Sequence, residues 1–176
     1  MVSLIKEMRA AFGSNHGISI ALPASYWYLR WFNPKEMEPY VDFFGLMTYD
    51  LHGTWDADFA SIGQVVLGHT NIPEIFNWTL PLWYDDLDPS NINMGLAYYG
   101  RDYTLTDPEC NTIGCSWSGP SRPGPCTNFG EFMSLHEIQQ ASSQLGVKPR
   151  RLQTEMMKEI TWGNQWFGYD DMESMH

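Results

Sequence analysis

The sequence predicts an α/β fold built on parallel strands, followed by a smaller α+β element. Three observations carry this reading. Helix-like and strand-like segments alternate along the first part of the chain; the strand-like segments run apolar instead of alternating in polarity; and after Leu105 the texture changes to a stretch rich in Gly, Pro, Ser and Cys. Apolar strands that alternate with helices are parallel strands covered on both faces by right-handed crossovers.

Leu4, Ile5, Met8 and Phe12 recur at helical spacing, and Gly13 with Gly17 ends that segment. Residues 17–23 read as a buried strand stopped by Pro23, and residues 34–40 as a short helix leading into a second buried strand at 41–49. A loop rich in Gly, Trp and Asp follows, then a helix over 73–84 and a third strand over 92–99. Three parallel strands leave two open edges and half-covered faces, so the pattern is expected to be incomplete at both ends. Past Leu105 a loop-like stretch runs to Asn128, followed by a helix over 131–145 and a strand over 162–169. No internal repeat or low-complexity tract is evident.

Composition narrows the function. A formal charge of −11 and a pI near 4.6 repel polyphosphate, which excludes nucleic acid as the expected partner. Aromatic residues make up 15% of the chain, with eight Trp and nine Tyr, more than a core of this size requires. A sugar ring stacks its C–H face on indole or phenol while its hydroxyls reach carboxylates and amides, so an aromatic and acidic composition suits carbohydrate, although any single aromatic is ordinarily core. No apolar run reaches membrane-span length and the first residues lack the plan of a signal peptide, so no membrane partner is expected and any leader lies outside this sequence. His16, His52, His69, His136 and His176 are dispersed without HExxH or Cys-x-x-Cys spacing, and no phosphate loop, dinucleotide fingerprint or Gly-x-Ser-x-Gly elbow occurs. Neither metal nor cofactor is expected.

Cys110, Cys115 and Cys126 cluster in the loop-like stretch, where a bridge would replace missing core and an oxidising compartment fits. Cys115 with Cys126 is the preferred pair, leaving Cys110 free or awaiting a partner outside the chain; the alternative is three reduced thiols. Asn77-Trp78-Thr79 is a glycosylation sequon, informative if the chain is exported.

The run Phe43-Phe44-Gly45-Leu46-Met47-Thr48-Tyr49-Asp50, continuing through His52-Gly53-Thr54-Trp55, resembles the sixth barrel strand of family 18 glycoside hydrolases, the chitinases, with their Met-x-Tyr-Asp signature and His-Gly-x-Trp loop. His69-Thr70-Asn71 is similar to the approach to the family's next helix, and Gly95-Leu96-Ala97-Tyr98-Tyr99-Gly100-Arg101 to its seventh strand. The Cys-containing loop and the run Gly163-Asn164-Gln165-Trp166-Phe167-Gly168-Tyr169 resemble the insertion domain of the fungal-type members. The resemblance implies an α/β fold that is a partial (β/α)8 TIM barrel with a small α+β insertion domain. Residues 1–101 would hold barrel strands five to seven, 102–170 the insertion domain, and 171–176 the start of the following barrel helix.

It also implies a chemistry. Family members cleave β-1,4-linked N-acetylglucosamine polymers with retention, the substrate's own acetamide oxygen acting as nucleophile. Tyr49 would donate its hydroxyl to the acetamide carbonyl and fix that oxygen near the anomeric carbon, a gain in proximity. Asp50 would bind the distorted sugar and its acetamide at the C-terminal end of the strand, where barrel active sites lie. Met47 would line the pocket bottom, Tyr99 and Arg101 would stand at the top of the seventh strand, Trp55 would shape the adjoining loop, and Glu137 would touch sugar from the insertion domain. Without the resemblance, Asp50 reads as a turn or cap, Met47 as core and Arg101 as a surface ion pair. Trp166 reads as a packing residue.

The family's Asp-Gly-x-Asp-x-Asp-x-Glu signature, whose Glu protonates the glycosidic oxygen, does not occur in these residues. Asp85-Asp86-Leu87-Asp88 sits before the third strand and reads as a solvated loop. The chain is therefore expected to hold the acetamide-clamping half of an extracellular chitinase and to be inactive alone, since general acid catalysis contributes about 10²–10⁴-fold. A non-catalytic, lectin-like chitin-binding protein and an inactive fragment are the alternatives.

Overall fold

The structure, a computed structural model, describes residues 1–175; His176, expected within a following helix, lies outside the described residues. The chain forms two compact units, Met1–Tyr49 with Pro73–Leu96, and Asp50–Ile72 with the residues from Ala97 onward.

The first unit is a parallel sheet in the order β1-β2-β3, with β1 at Ser19–Pro23, β2 at Phe43–Met47 and β3 at Ile92–Met94. Helix α1 (Val2–Phe12) ends at Gly13, whose φ of 58° lets its N–H return to the Arg9 carbonyl. The Arg9 guanidinium then bonds the Tyr40 carbonyl at 3.0 Å and the Asp42 carboxylate at 2.7 Å, while that carboxylate also accepts from Ile18 N–H. One ion pair thus ties the end of α1 to the starts of β1 and β2. Short helices α2 (Tyr26–Leu29) and α3 (Pro34–Met37) follow β1, the second capped by the Asn33 side chain and opened by proline at its first position.

The single helix predicted over 73–84 is two, α4 (Ile72–Trp78) and α5 (Leu80–Tyr84). Thr79 interrupts them with its hydroxyl turned back onto the Ile75 carbonyl, and Pro81 has no N–H to continue the ladder. Strand β3 stops at Met94, five residues short of the predicted end, because the Gly95 N–H turns to the Leu46 carbonyl at 2.8 Å.

The second unit holds a six-stranded antiparallel sheet in the order β5-β4-β9-β8-β7, with β6 also on β4. Its strands are β4 (Tyr99–Leu105), β5 (Trp117–Gly119), β6 (Phe132–Ser134), β7 (Arg150–Leu152), β8 (Met157–Trp162) and β9 (Gln165–Tyr169). Tyr99 and Arg101 therefore open the antiparallel sheet instead of capping the third parallel strand. Helix α6 (Leu135–Leu145) starts later than predicted because Ser134 and Glu137 form a capping box, and residues 132–134 pair with β4. The strand predicted over 162–169 is a hairpin turn plus β9, since Gly163 at φ 58° reverses the chain between Trp162 and Gln165. Residues 172–175 form turns where a helix start was expected.

Trp166, Tyr103, Trp117, Leu105, Met157 and Val66 pack together in this unit, and Ile138, Ile160, Phe167, Tyr169 and Met133 form a second cluster. Trp166 is fully buried and donates its indole N–H to Glu159 at 2.7 Å, so it is a packing residue, as its sequence context suggests. The Glu159 carboxylate also accepts from Thr112 and pairs with Arg150.

The disulfide differs from expectation. It joins Cys110 to Cys115, and Cys126 is an exposed free thiol. The turn through Gly114, at φ 90°, brings the Cys110 and Cys115 Cα atoms to 5.6 Å, while the backbone at Cys126 is held elsewhere by the Glu137 carboxylate at 2.6 Å.

Candidate functional site

Asp50 opens the second unit in a left-handed conformation, φ 58°, which aspartate tolerates better than most side chains. Its N–H donates to His69 Nδ1 at 3.3 Å, and the next N–H, of Leu51, donates to the His69 carbonyl at 3.1 Å. His69 is fully buried and stacks on the Tyr99 ring at 5.3 Å. This fixed backbone presents the Asp50 carboxylate to Arg101, whose Nε donates to Oδ1 at 2.8 Å.

The Arg101 guanidinium is walled by three rings, with its carbon 4.7 Å from the Trp55 centroid and 5.8 Å from those of Tyr99 and Phe132. Gly53 makes the Trp55 placement possible, because a Cβ there would fall 2.3 Å from the indole. The same loop is braced by a buried His52–Asp56 pair at 2.8 Å and by Thr54 Oγ1 donating to Glu131 at 2.9 Å.

Burial disfavours an ionised Asp50, yet hydrogen bonding by His69, Arg101 and Tyr99 and the charge of Arg101 outweigh it and hold the carboxyl well below the usual carboxylate range. Arg101 dominates among these. His69 Nδ1 stands 3.7 Å from the carboxylate oxygen and is already the acceptor for the Asp50 N–H. Burial likewise disfavours the charged guanidinium, and the hydrogen bond and charge of Asp50 outweigh it, raising the Arg101 pKa.

Four residues singled out by sequence, Asp50, Trp55, Tyr99 and Arg101, are thus brought together in this unit. Three others in the cluster, Glu131, Phe132 and the ring of His69, carried no sequence signal of a role, because the β4–β6 pairing that delivers Phe132 opposite Arg101 is long-range. In the first unit, Met47 ends β2 half-buried. Thr48 Oγ1 donates to the Gly95 carbonyl at 2.6 Å, and the Tyr49 ring lies where a Cβ at position 95 would come within 2.9 Å of it. Glycine at 95 is what gives the Tyr49 ring its room.

Glu137 does not present itself to a ligand. It is buried, its Oε1 accepts from the Cys126 and Thr127 N–H groups and its Oε2 from the N–H and hydroxyl of Ser134. Burial works against its ionisation, but those hydrogen bonds bring its pKa down to about 2. It anchors the loop before α6, which corrects the expectation that it touches sugar. Asn77 is exposed on α4 and borders a cavity of about 530 Å³ in the first unit, lined also by Tyr26, Arg30, Leu82 and Tyr84. None of the other candidate residues lines it. Among the described residues no three His, Cys, Asp or Glu side chains are placed to hold a metal ion, and no helix is long and apolar enough to cross a membrane.

A carboxylate and a guanidinium locked together between aromatic faces offer directed hydrogen bonds beside apolar surface, which is how saccharides are gripped. The chain is 34% identical over 148 residues to a probable chitinase, LysM11, of Penicillium expansum, covering 78% of this chain and 13% of that protein. It is 30% identical over 134 residues to the secreted chitinase LysM12 of the same organism, covering 70% of this chain and 9% of that one. The structure superposes on YKL-39, solved in the presence of chitooligosaccharides, with a TM-score of 0.85 at 25% identity, over 99% of this chain and 51% of that chain. The chain thus spans about half of that barrel protein and a small part of the fungal relatives. The family model "Glycosyl hydrolases family 18" matches residues 1–176, and the chain, whose second parallel strand runs into Met47-Thr48-Tyr49-Asp50, belongs to that family.

Proposed function

We propose that the chain binds β-1,4-linked N-acetylglucosamine polymers, chitin or its oligosaccharides, and carries the acetamide-clamping part of a substrate-assisted, retaining chitinase. The observation that carries this reading is the Asp50–Arg101 pair at 2.8 Å, walled by Trp55 and Tyr99. Asp50 accepts from the substrate acetamide or ring hydroxyls, and Arg101 directs its remaining N–H groups to sugar oxygens. Tyr49, the preceding residue, donates its hydroxyl to the acetamide carbonyl and so holds the internal nucleophile near the anomeric carbon, with Met47 beneath the sugar. These 176 residues contain no Asp-x-x-Asp-x-Asp-x-Glu acid signature, so on their own they bind without appreciable hydrolysis. The site works outside the cell, where Asn77 carries a glycan. A relative described as a secreted chitinase supports that location.

A chitin pull-down of the wild-type chain against Tyr49→Phe combined with Asp50→Ala tests the clamp. Loss of retention in the double variant is the expected result, and equal retention would remove these residues from any sugar site. A second reading, a non-catalytic chitin binder, draws support from human YKL-39, which shares the fold at a TM-score of 0.84 and is described as a pseudo-chitinase with retained chitooligosaccharide binding. Release of reducing ends from chitohexaose by the full-length protein separates the two.

A further inference from the structure

We infer that the N-linked glycan of Asn77 folds back onto its own protein, its first N-acetylglucosamine seated in the cavity between the α2–α3 segment and the α4–α5 segment; this rests on the reading above that Asn77 is glycosylated outside the cell. Asn77 is exposed and is itself one of the residues that line this cavity of about 530 Å³. The volume falls within the roughly 300–1,000 Å³ of sites that enclose small molecules. Leu29, Pro34 and Leu82 line it as buried apolar groups, whereas Tyr26 and Tyr84 line it as exposed rings, Tyr84 at 83%. Asp50, Tyr99 and Arg101 do not line it, so the sugar seated here is not the substrate of the clamp.

An N-acetylglucosamine ring offers a C–H face and an acetamide methyl to phenol rings and leucines, and hydroxyls and an amide to charged groups beside them. Arg30 and Asp85 supply those charges. The Arg30 guanidinium is held by two indoles, 3.7 Å from the Trp27 centroid and 4.9 Å from that of Trp31. The two walls are joined without any sugar, because Lys35 Nζ donates to the Asp86 carbonyl at 2.6 Å and Glu38 accepts from the Asp88 N–H at 2.9 Å. A preformed site lowers the cost of the contact, and a covalent link keeps the sugar at an effective concentration on the order of millimolar. Attachment precedes folding, since the Thr79 hydroxyl that completes the sequon is buried in the folded chain and donates to the Ile75 carbonyl at 2.7 Å. Transfer forms the bond between Asn77 Nδ2 and the anomeric carbon, breaks that carbon's bond to a lipid pyrophosphate carrier, and gives one amide proton to the departing phosphate. The seated sugar then ties together the two crossovers that flank β2.

Urea unfolding of the full chain, secreted from a host that adds high-mannose glycans, tests this with wild type, Asn77→Gln, Tyr84→Ala and the double variant. Peptide mass spectrometry first reads whether Asn77 is occupied. Tyr84→Ala is expected to lower the folding equilibrium constant of the glycosylated protein roughly 2- to 12-fold, the range of a single ring contact, and to have a smaller effect in the Asn77→Gln background. Trimming with an endoglycosidase that leaves one N-acetylglucosamine should keep the stability of the untrimmed protein, because the first sugar is the one that is seated. Equal effects of Tyr84→Ala in both backgrounds would overturn the seating, as would a loss on trimming as large as that of Asn77→Gln. An unmodified Asn77 removes the glycan reading and this inference with it, whereas an occupied Asn77 without the coupling removes the seating alone.

Discussion

The two units bury their aromatic residues differently. In the parallel unit Trp27, Tyr28, Trp31 and Tyr84 stand largely in solvent, with Trp31 77% exposed and its indole 4.9 Å from the Arg30 guanidinium. In the antiparallel unit Trp166 and Tyr103 are wholly buried, their centroids 5.7 Å apart, and Tyr103 stacks on Trp117 at 5.3 Å. The difference follows from topology. In the antiparallel sheet β8 finds β9 by a local hairpin, and the buried rings pack with Cys115 in one cluster and with Ile138 of α6 in the other. Each parallel strand needs a helical crossover before it can pair, and here those crossovers are cut into short pieces. Trp27 and Trp31 of the first unit are therefore surface, whereas Trp117 and Trp166 of the second are core.

The largest expected effect breaks that contrast directly. Trp166→Ala removes a buried indole and leaves Glu159 without one of its three partners, so a loss of about 3–5 kcal/mol is expected in urea denaturation. Trp166→Phe keeps most of the packing and gives up the hydrogen bond, costing roughly 1–3 kcal/mol. Trp31→Ala, at an exposed ring, is expected within about 0.5 kcal/mol of wild type. Comparable losses for Trp166→Ala and Trp31→Ala would show that the exposed aromatics of the first unit are structural after all.

A smaller effect concerns charge in the antiparallel unit. Asp102 on β4 is almost completely buried, and burial raises its pKa to about 7, although the Ser121 hydroxyl and N–H approach it and work in the opposite direction. Neither carboxyl oxygen has a hydrogen bond of good geometry among the described residues. Around it, the positive Arg101 on the same strand favours ionisation, Glu131 ahead of β6 opposes it, and β9 presents Phe167 at the paired position. The folded state keeps this proton where the unfolded chain has released it, so stability is complete below about pH 4 and falls as pH rises toward 7. The cost at pH 8 is on the order of 4 kcal/mol. Asp102→Asn should flatten that decline: the urea midpoint difference between variant and wild type grows from pH 4 to pH 8, and a constant difference would show that the carboxyl is ionised throughout.

What was legible in the sequence divides along the same line. The apolar runs that became β1 and β2, and the Met47 to Asp50 motif at the end of β2, were readable from their apolar character, but the expected burial on both faces is not met: Leu22, Phe44 and Leu46 are buried while Ser19, Ala21 and Phe43 are exposed. The hairpin at Gly163 and Asn164 had a local signal, a Gly-Asn pair between two apolar runs, that the continuous reading of 162–169 passed over. Glu137 also had one, since Ser134 and Glu137 stand three apart before an apolar run, the pattern of a capping box. Two neighbours of Arg101, Phe132 and Glu131, had none, because they reach it through strand pairing that depends on the whole sheet.

The smallest effect distinguishes the observed bridge from the expected one. Cysteine spacing alone fits Cys110 with Cys115 as well as Cys115 with Cys126, and the choice is made by the turn at Gly114 and by Glu137 holding the Cys126 backbone. Because the sequence separation is only five residues, the bridge removes little freedom from the unfolded chain, and its loss should cost about 2 kcal/mol. Cys110→Ser is expected to lower the urea midpoint accordingly, and reduction of the wild type with dithiothreitol should reproduce that shift. Cys126→Ser should change stability by less than about 0.5 kcal/mol, because its exposed thiol holds nothing. If Cys126→Ser instead matched the reduced protein while Cys110→Ser did not, the bridge would run between Cys115 and Cys126, and the loop before α6 would be fixed by sulfur instead of by the Glu137 carboxylate.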